Sequence, residues 1–339
     1  MSIFAVMKII ENCPLYERNT FGMDVQADCL AEWSSPEELK TLLNSVERPL
    51  LMIGGGSNLL FTGNYKGTIL HSTIDTIQVV NETADSVLVR VGAGVVWDDF
   101  VAYAVLHGWW GVENLSAIPG EVGASAVQNI GAYGVEAKDV IETVQTVCLN
   151  DGSDREFSNR ECRYAYRQSI FKNELKGQYA VTYVQFRLSL QAQPKLGYGA
   201  LQAQVSRIGE PTLENIRKAV MEIRAGKLPD PKVLGNAGSF FMNPVIPAAQ
   251  FEELKREYLD IPSYPAPDGM VKVPAGWLIE QAGWKGRSLG PVAVYDKQAL
   301  VLVNKGGAAG SDVIRLADTI MGDVKKKFGI NLTTEVNYI

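Results

Sequence analysis

Three consecutive glycines that follow a short apolar run constrain this chain more than any other feature. Residues 49–53 (PLLMI) predict a buried β-strand, and glycines 54–56 come directly after it. Because glycine lacks a Cβ, such a loop can turn successive backbone N–H groups inward, which is how a loop cradles a pyrophosphate. Ser57 and Asn58 add side-chain donors. A tight strand-to-strand turn remains an equal alternative for this segment alone, because the loop matches neither GxGxxG nor a Walker motif.

The rest of the chain predicts a mixture of helices and strands. Residues 34–46 begin with serines, a proline and two glutamates and then repeat leucine at helical spacing, which is typical of a capped helix. Residues 77–94 alternate apolar and polar side chains around a polar centre, which predicts a hairpin. The proline-rich residues 227–232 predict a linker and domain boundary. Further helices are predicted for residues 97–107, 213–224, 248–257 and 311–328, and further strands for 68–70, 140–149, 179–190, 300–303 and 334–338.

Composition narrows the class of protein. A chain of 339 residues exceeds what one hydrophobic core serves, so two or three domains are expected. A formal net charge of -6 disfavours nucleic acid and anionic lipid as partners, and no apolar run approaches the roughly 20 residues that span a bilayer. The N-terminus lacks the pattern of a signal peptide, which predicts a cytoplasmic protein. Four dispersed cysteines and two histidines outside ligand spacings predict reduced thiols and no metal site.

Three further clusters strengthen a ligand-binding interpretation. Residues 118–134 contain two glycine-dense stretches, IPGEVG and QNIGAYG, so an extended ligand is favoured over a single turn, although a cluster of structural turns remains open. Residues 164–169 place tyrosines beside Arg167, whose guanidinium suits a carboxylate or phosphate. Ser239 stands in the glycine-flanked stretch 235–244, where a plain turn hydroxyl is the alternative to a chemical role.

Taken in order, these clusters resemble the UDP-N-acetylenolpyruvoylglucosamine reductase family, also called UDP-N-acetylmuramate dehydrogenases, and its longer subclass in particular. The resemblance covers nearly the whole chain, and the ordered combination is more specific than any single motif. The motifs are NTFG (19–22), GGGSN (54–58), IPGEVG (118–123) with QNIGAYG (128–134), YR (166–167), GNAGSFF (235–241), AGWLI (275–279) and EV (335–336).

The resemblance implies an α+β protein with an FAD-binding fold of the vanillyl-alcohol-oxidase (PCMH) type and a C-terminal α+β substrate-binding domain. It places one FAD-binding subdomain in residues 1–72, a second in 73–215 and the substrate domain in 216–339, with the last strand returning to the first subdomain. It also implies non-covalent FAD, NADPH as co-substrate, and reduction of UDP-N-acetylglucosamine enolpyruvate for peptidoglycan. No obligate protein partner is inferred.

The resemblance also assigns roles to individual residues. Arg167 and Glu335 match the pair that stabilises the enol-like intermediate, and Ser239 matches the serine that donates a proton to C2. Tyr166, Lys227 and Asn243 resemble substrate-binding residues, and Tyr198, in the LGYG stretch at 196–199, resembles a tyrosine that closes over bound substrate. The implied FAD-binding residues are Gly54, Gly55, Gly56, Ser57, Asn58, Ser116, Pro119, Gly120, Gly123, Asn129 and Gly131.

The chain departs from the family pattern at one position, and two other functions remain open. Longer family members often carry arginine two residues after the terminal glutamate, where this chain has Asn337, so the charge around Glu335 is open. An oxidase of alcohols or sugars with the same flavin fold would share the N-terminal loops but not the serine and glutamate motifs. A non-catalytic nucleotide-sugar binding protein would not bind flavin at all.

Overall fold

The computed structural model describes residues 8–339, which form two compact units. Unit 1 comprises residues 8–13, 27–55 and 66–226, and unit 2 comprises residues 14–26, 56–65 and 227–339. The chain passes from unit 1 to unit 2 within the glycine-rich loop, between Gly55 and Gly56. The predicted division into three domains at residues 72 and 215 stays a prediction.

Two larger sheets and a short hairpin form the framework of unit 1. The four-stranded sheet has the order β1-β2-β5-β3, with β3 and β5 parallel, and the five-stranded sheet has the order β11-β10-β12-β7-β6, with antiparallel neighbours. The hairpin pairs β8 with β9. The strands are β1 (Lys8–Pro14), β2 (Gln26–Trp33), β3 (Leu50–Ile53), β5 (Tyr65–Ser72), β6 (Ile77–Glu82), β7 (Ser86–Gly92), β8 (Gly131–Ala132), β9 (Val135–Glu136), β10 (Ile141–Cys148), β11 (Asp154–Ser158) and β12 (Tyr179–Ser189).

Five helices belong to unit 1: α1 (Pro36–Leu42), α2 (Trp97–Leu106), α3 (Val122–Gln128), α4 (Leu201–Ile208) and α5 (Leu213–Lys227). In α1, Ser35 caps the N-terminus by accepting a hydrogen bond from the N–H of Glu38, as the sequence pattern predicts. The buried face of α2 repeats at helical spacing, so this helix packs against the five-stranded sheet through one side. That face consists of Trp97, Phe100, Val101, Ala104 and Val105.

Unit 2 is built from short strands and three helices. Its sheets have the orders β13-β19-β18-β17 and β14-β16-β15, and β20 pairs in parallel with β4. The buried side of α8 includes Val313, Ile320 and Val324, and the helix ends at Gly329 in the left-handed conformation. The elements are β4 (Leu59–Leu60), β13 (Gly235–Ser239), β14 (Val245–Pro247), α6 (Ala248–Glu257), β15 (Tyr264–Pro265), β16 (Met270–Lys272), α7 (Ala275–Gln281), β17 (Ser288–Leu289), β18 (Val292–Val294), β19 (Val301–Asn304), α8 (Gly310–Phe328) and β20 (Asn337–Tyr338).

The predicted elements agree with the structure in type and differ at some ends. The hairpin β6–β7, the helix α2 and the strands β10 and β12 lie where the sequence predicts them. Helix α5 continues to Lys227, three residues beyond its predicted end, and the last strand covers only Asn337–Tyr338 of the predicted 334–338. Within residues 8–339, no helix is both long and apolar enough to cross a membrane.

Candidate active site

The first glycine loop is positioned by two parallel strands. In unit 1, β3 pairs with β5, so Ile53 lies beside His71 and Gly54 begins the loop at the carboxyl end of both strands. A Cβ added to Gly55 would lie 3.4 Å from the Cα of Gly120. The backbones of the two predicted loops therefore lie close together at these glycines, and a Cβ at Gly55 would be in van der Waals contact with Gly120.

The second loop leads from β7 and α2 into α3. Its backbone is held on one side by the hydrogen bond from the Trp97 N–H to the Gly120 carbonyl, and on the other by the bond from the Val122 N–H to the Val95 carbonyl. A Cβ on Gly123 would meet the Cβ of Ala93 at 2.8 Å, which explains glycine at this position. Residues 116–123 thus have a fixed backbone that lies against Gly54 and Gly55 in the same unit.

The two loops have the residue type that a pyrophosphate-binding loop requires. Glycine backbones can turn their N–H groups toward a phosphate, and a Cβ at Gly54 or Gly55 would instead contact Glu121 or Gly120. Gly56 has a different role, since it adopts a φ of +63° and a Cβ there would overlap the carbonyl oxygen of Arg18. In unit 2 the N–H of Thr20 donates to the Gly56 carbonyl at 3.2 Å, which joins the NTFG motif to the glycine loop.

A charged cluster that no sequence pattern predicts supports the second loop. Asp98 of α2 accepts hydrogen bonds from the N–H of Ala117 at 2.6 Å and from both terminal nitrogens of Arg217, at 2.6 and 2.9 Å. Burial alone would raise the pKa of Asp98, but Arg217 and the Ala117 N–H hold that pKa below its ordinary value. Arg224 donates from Nε to the Ala117 carbonyl at 3.1 Å, and burial lowers its pKa. Nothing in the linear spacing of these residues connects them.

Arg167 occupies a tight turn in unit 1. Ala165 and Gln168 exchange two backbone hydrogen bonds, and Arg167 between them adopts a φ of +57°, a left-handed conformation that costs a non-glycine residue energy. Its guanidinium donates to the carbonyl oxygens of Gly131 at 2.6 Å and Asn129 at 3.4 Å. The second glycine-rich stretch therefore holds the predicted catalytic arginine.

Asn129 is the centre of this arrangement and is fully buried. Its amide nitrogen donates to the Ala165 carbonyl at 2.8 Å and to Glu136 Oε2 at 3.0 Å, while its oxygen accepts the Lys138 N–H at 3.0 Å. Its backbone is also left-handed, with a φ of 46°. The side chain predicted to bind FAD thus makes protein contacts that fix the Arg167 turn.

Ser239 and Glu335 are brought together by backbone pairing in unit 2. Ser239 ends β13, after a bulge in which Gly238 adopts a φ of +66° and its N–H donates to Asn236 Oδ1 at 2.9 Å. The Glu335 N–H donates to the carbonyl of Phe240, the residue after the serine, at 2.8 Å. Asn58 Nδ2 donates to the Glu335 carbonyl at 3.1 Å. Two of the three predicted catalytic residues are therefore neighbours along paired backbones.

The predicted substrate residues are distributed over both units. In unit 1, the Arg167 guanidinium lies 5.2 Å from the ring centre of Tyr166, and the ring of Tyr198 packs edge-on against Tyr133 at 6.5 Å. Lys227 is exposed at the end of α5. In unit 2, Asn243 Oδ1 accepts the N–H of Ala275 at 2.9 Å, so that amide anchors the start of α7.

Comparison with known proteins identifies the family. One family model, described as an FAD binding domain, matches residues 27–158, and another, described as the C-terminal domain of UDP-N-acetylenolpyruvoylglucosamine reductase, matches residues 230–339. The UDP-N-acetylenolpyruvoylglucosamine reductase of Bacteroides fragilis (strain YCH46) is 55% identical over 327 residues, which cover 96% of this chain and 98% of the relative. The chain belongs to the UDP-N-acetylenolpyruvoylglucosamine reductase family.

Two further comparisons agree with this family. The UDP-N-acetylenolpyruvoylglucosamine reductase of Porphyromonas gingivalis (strain ATCC 33277) is 52% identical over 338 residues, 98% of this chain and 100% of the relative. The solved structure of the UDP-N-acetylenolpyruvylglucosamine reductase from Thermus caldophilus superimposes with a TM-score of 0.68 at 23% identity, over 99% of each chain, and shows a shared fold. The predicted family and the α+β fold class with an FAD-binding domain are confirmed.

Proposed function

We propose that this chain catalyses the NADPH-driven, FAD-dependent reduction of UDP-N-acetylglucosamine enolpyruvate to UDP-N-acetylmuramate, a step of peptidoglycan synthesis. The observation that carries the proposal is the 55% identity to a reductase of that name over 96% of this chain. The match of residues 27–158 to an FAD binding domain supports the cofactor. We place the enzyme in the cytoplasm, where its nucleotide substrates are found.

The FAD site is assigned to the residues of the two glycine loops and to Ser57, Asn58 and Ser116. Ser116 is fully buried and its hydroxyl donates to the Glu113 carbonyl at 2.6 Å, so this residue serves the loop through its backbone position. Asn129 and Gly131 act in the same region by holding Arg167. Bound FAD, once reduced by NADPH, supplies the hydride that is added to C3 of the enolpyruvyl group.

Protein side chains then stabilise the negative charge and supply the proton. Hydride addition at C3 leaves negative charge at C2 and on the substrate carboxylate. The Arg167 guanidinium is assigned to that charge, and Glu335 is assigned as an acidic hydrogen-bond donor to it. Ser239 is assigned as the donor of the proton to C2, for which its hydroxyl must be stabilised as it loses the proton. Tyr166, Tyr198, Lys227 and Asn243 are assigned to the UDP-sugar, with Tyr198 as a closing residue.

The decisive experiment measures NADPH oxidation by the purified yellow protein after addition of UDP-N-acetylglucosamine enolpyruvate. We expect rapid oxidation with this substrate and none with UDP-N-acetylglucosamine, which lacks the enolpyruvyl group. Bound flavin without substrate-dependent oxidation would contradict the assigned substrate and favour another flavin oxidoreductase. A protein that is purified without flavin and does not bind added FAD would contradict the cofactor as well.

A further inference from the structure

Unit 1 carries a carboxylate at the place where its two glycine loops meet. Glu121 lies in the second loop, between Gly120 and α3, and a Cβ built on Gly54 would be 3.1 Å from Glu121 Oε2. The proposed function places a pyrophosphate at these loops. A carboxylate beside a pyrophosphate repels it, and the repulsion is strong where protein surrounds the charges. The proposed cofactor site therefore contains two groups of like charge.

His71 lies where it can compensate the charge of Glu121. It is near the end of β5 and pairs with Ile53 of β3, the residue that precedes Gly54. Its Nε2 is 2.9 Å from Glu121 Oε1, and because a carboxylate only accepts, Nε2 carries the hydrogen of this bond. The histidine thus binds one carboxylate oxygen directly behind the loop.

A second carboxylate lies on the other side of the imidazole. His71 Nδ1 is 3.5 Å from Glu32 Oε1 on β2, and Glu32 Oε2 is 2.7 Å from Lys8 Nζ on β1. The side chains of His71, Glu121 and Glu32 are 15%, 12% and 10% exposed, so water screens this array only weakly. Cationic and anionic groups alternate along it from Lys8 to Glu121 when the imidazole is protonated, and each carboxylate then has a cationic partner.

We propose that His71 is the counter-ion of Glu121 and thereby a positioning residue for FAD. It neutralises the carboxylate at the meeting point of the loops and holds one of its oxygens toward β5, so that the backbone N–H groups of Gly54 and Gly55 face the pyrophosphate without a competing anion. The inference rests on the proposed FAD site. It assigns a function to a histidine that the hydride and proton transfers do not use.

The test is a double-mutant cycle read as FAD affinity. Holoenzyme is diluted in steps, and released FAD is followed by its fluorescence to give a dissociation constant. His71→Leu leaves Glu121 without its counter-ion and should weaken FAD binding about tenfold or more at low salt. Glu121→Gln alone should bind FAD as tightly as the wild type or more tightly. The double variant H71L/E121Q should recover to within about threefold of the wild type, because no charge is left to compensate.

The double variant separates electrostatics from packing. Because the array is only weakly screened, most of the defect of His71→Leu should persist as ionic strength rises. A double variant as weak as His71→Leu would mean that His71 only fills space and would overturn the proposal. If His71→Leu does not fold, His71→Gln is neutral, preserves a donor and is interpreted by the same comparison.

Two controls keep this inference separate from the proposed function. Arg187→Gln removes an exposed bidentate pair with Glu142 on the same unit, where Nε and Nη2 lie 3.0 and 3.1 Å from the carboxylate, and should leave FAD affinity unchanged. Wild-type protein that binds FAD but does not turn over the enolpyruvyl substrate would contradict the proposed reaction and leave the His71 inference standing. Wild-type turnover together with an unchanged FAD affinity of His71→Leu would contradict the His71 inference and leave the proposed reaction standing.

Discussion

Arg167 in unit 1 and Ser239 with Glu335 in unit 2 are held in different ways. The Arg167 turn depends on side chains, because the buried amide of Asn129 bonds the turn and the guanidinium itself binds two carbonyl oxygens. Ser239 and Glu335 depend on main chain, because a glycine bulge sets the serine and an N–H to carbonyl bond sets the glutamate. One region is therefore sensitive to distant side-chain changes and the other to changes in backbone freedom.

The two regions also differ in whether a catalytic role can be tested without a loss of stability. Removing the Ser239 hydroxyl leaves in place the Glu335 N–H to Phe240 bond and the bond from Asn58 to the Glu335 carbonyl, so a chemical role can be tested while these contacts are retained. Removing the Asn129 amide takes three partly buried hydrogen bonds with it. Predictions for unit 1 must therefore include a stability measurement beside the kinetic one.

The largest expected effect is that of Ser239→Ala. Loss of the proton donor should slow reoxidation of the reduced enzyme by the enolpyruvyl substrate about 10³-fold, while flavin reduction by NADPH stays fast. Stopped-flow absorbance of the flavin separates the two half-reactions. Ser311→Ala, an exposed serine of the same unit, is the matched control. Equal slowing of both half-reactions would count against the proton-donor role.

Two glycine variants, Gly56→Ala and Gly238→Ala, test how strongly unit 2 depends on backbone conformation. A methyl group at Gly56 would overlap the Arg18 carbonyl, so we expect a loss of about 3 kcal/mol in the free energy of unfolding. Gly238 has the same sign of φ, but beyond its own chain neighbours no heavy atom of residues 8–339 lies within 4 Å of its added Cβ. Only the left-handed backbone is then penalised, by about 1 kcal/mol. Urea unfolding measures both, and equal losses would contradict the overlap argument.

Asn129→Gly tests whether side-chain hydrogen bonds hold the Arg167 turn. Glycine tolerates the left-handed backbone at this position, so the variant removes only the amide and should lose about 2 kcal/mol of stability. Reoxidation by substrate should slow about tenfold because the Arg167 turn loosens, with FAD affinity retained. In an Arg167→Lys background the same change should slow reoxidation no further.

Asn58→Ala is the matched change in unit 2. It removes one bond to the Glu335 carbonyl but leaves the Glu335 N–H to Phe240 bond intact. With enzyme saturated with FAD, we expect no more than about a twofold change in reoxidation, since the remaining backbone bond is worth about 1 kcal/mol and keeps the segment in place. An effect of Asn58→Ala as large as that of Asn129→Gly would remove the distinction between the two regions.

The support of the second loop should depend on pH. The folded-state pKa of Asp98 lies below its ordinary value of 3.8, so the pair with Arg217 contributes stability above about pH 4 and loses it as the pH falls through the folded-state pKa. Asp98→Asn should cost about 1.5 kcal/mol at neutral pH and almost nothing in strong acid. Urea midpoints measured across this range test the sign, and a cost that grows toward acid would refute it.

The sequence was most informative where a signal is local. Caps, apolar periodicity and glycine runs placed α1, α2, β6 and β7 because these patterns act within a few residues of one another. Element ends were less accurate, as α5 shows by continuing to Lys227. The ordered motifs, through their resemblance to a family, nominated Arg167, Ser239 and Glu335, whose roles stay predictions.

The sequence alone did not reveal which polar groups compensate one another. His71 and Glu121 are 50 residues apart, and Asp98 and Arg217 are 119 apart, so no helical or strand periodicity relates them. Such pairs form only when separate elements of one unit pack together and their shared burial makes an unpaired charge costly.

The glycine-rich loop illustrates the division between the two kinds of information. Its three glycines and their place after an apolar strand indicated either a phosphate-binding loop or a tight turn, because backbone freedom is a property of the residues themselves. Only the tertiary structure showed that Gly56 is required by the Arg18 carbonyl, that Gly55 lies against Gly120, and that a histidine on the neighbouring strand binds the glutamate of the opposing loop. Steric exclusion and charge compensation both depend on distances through space, which the linear sequence does not contain.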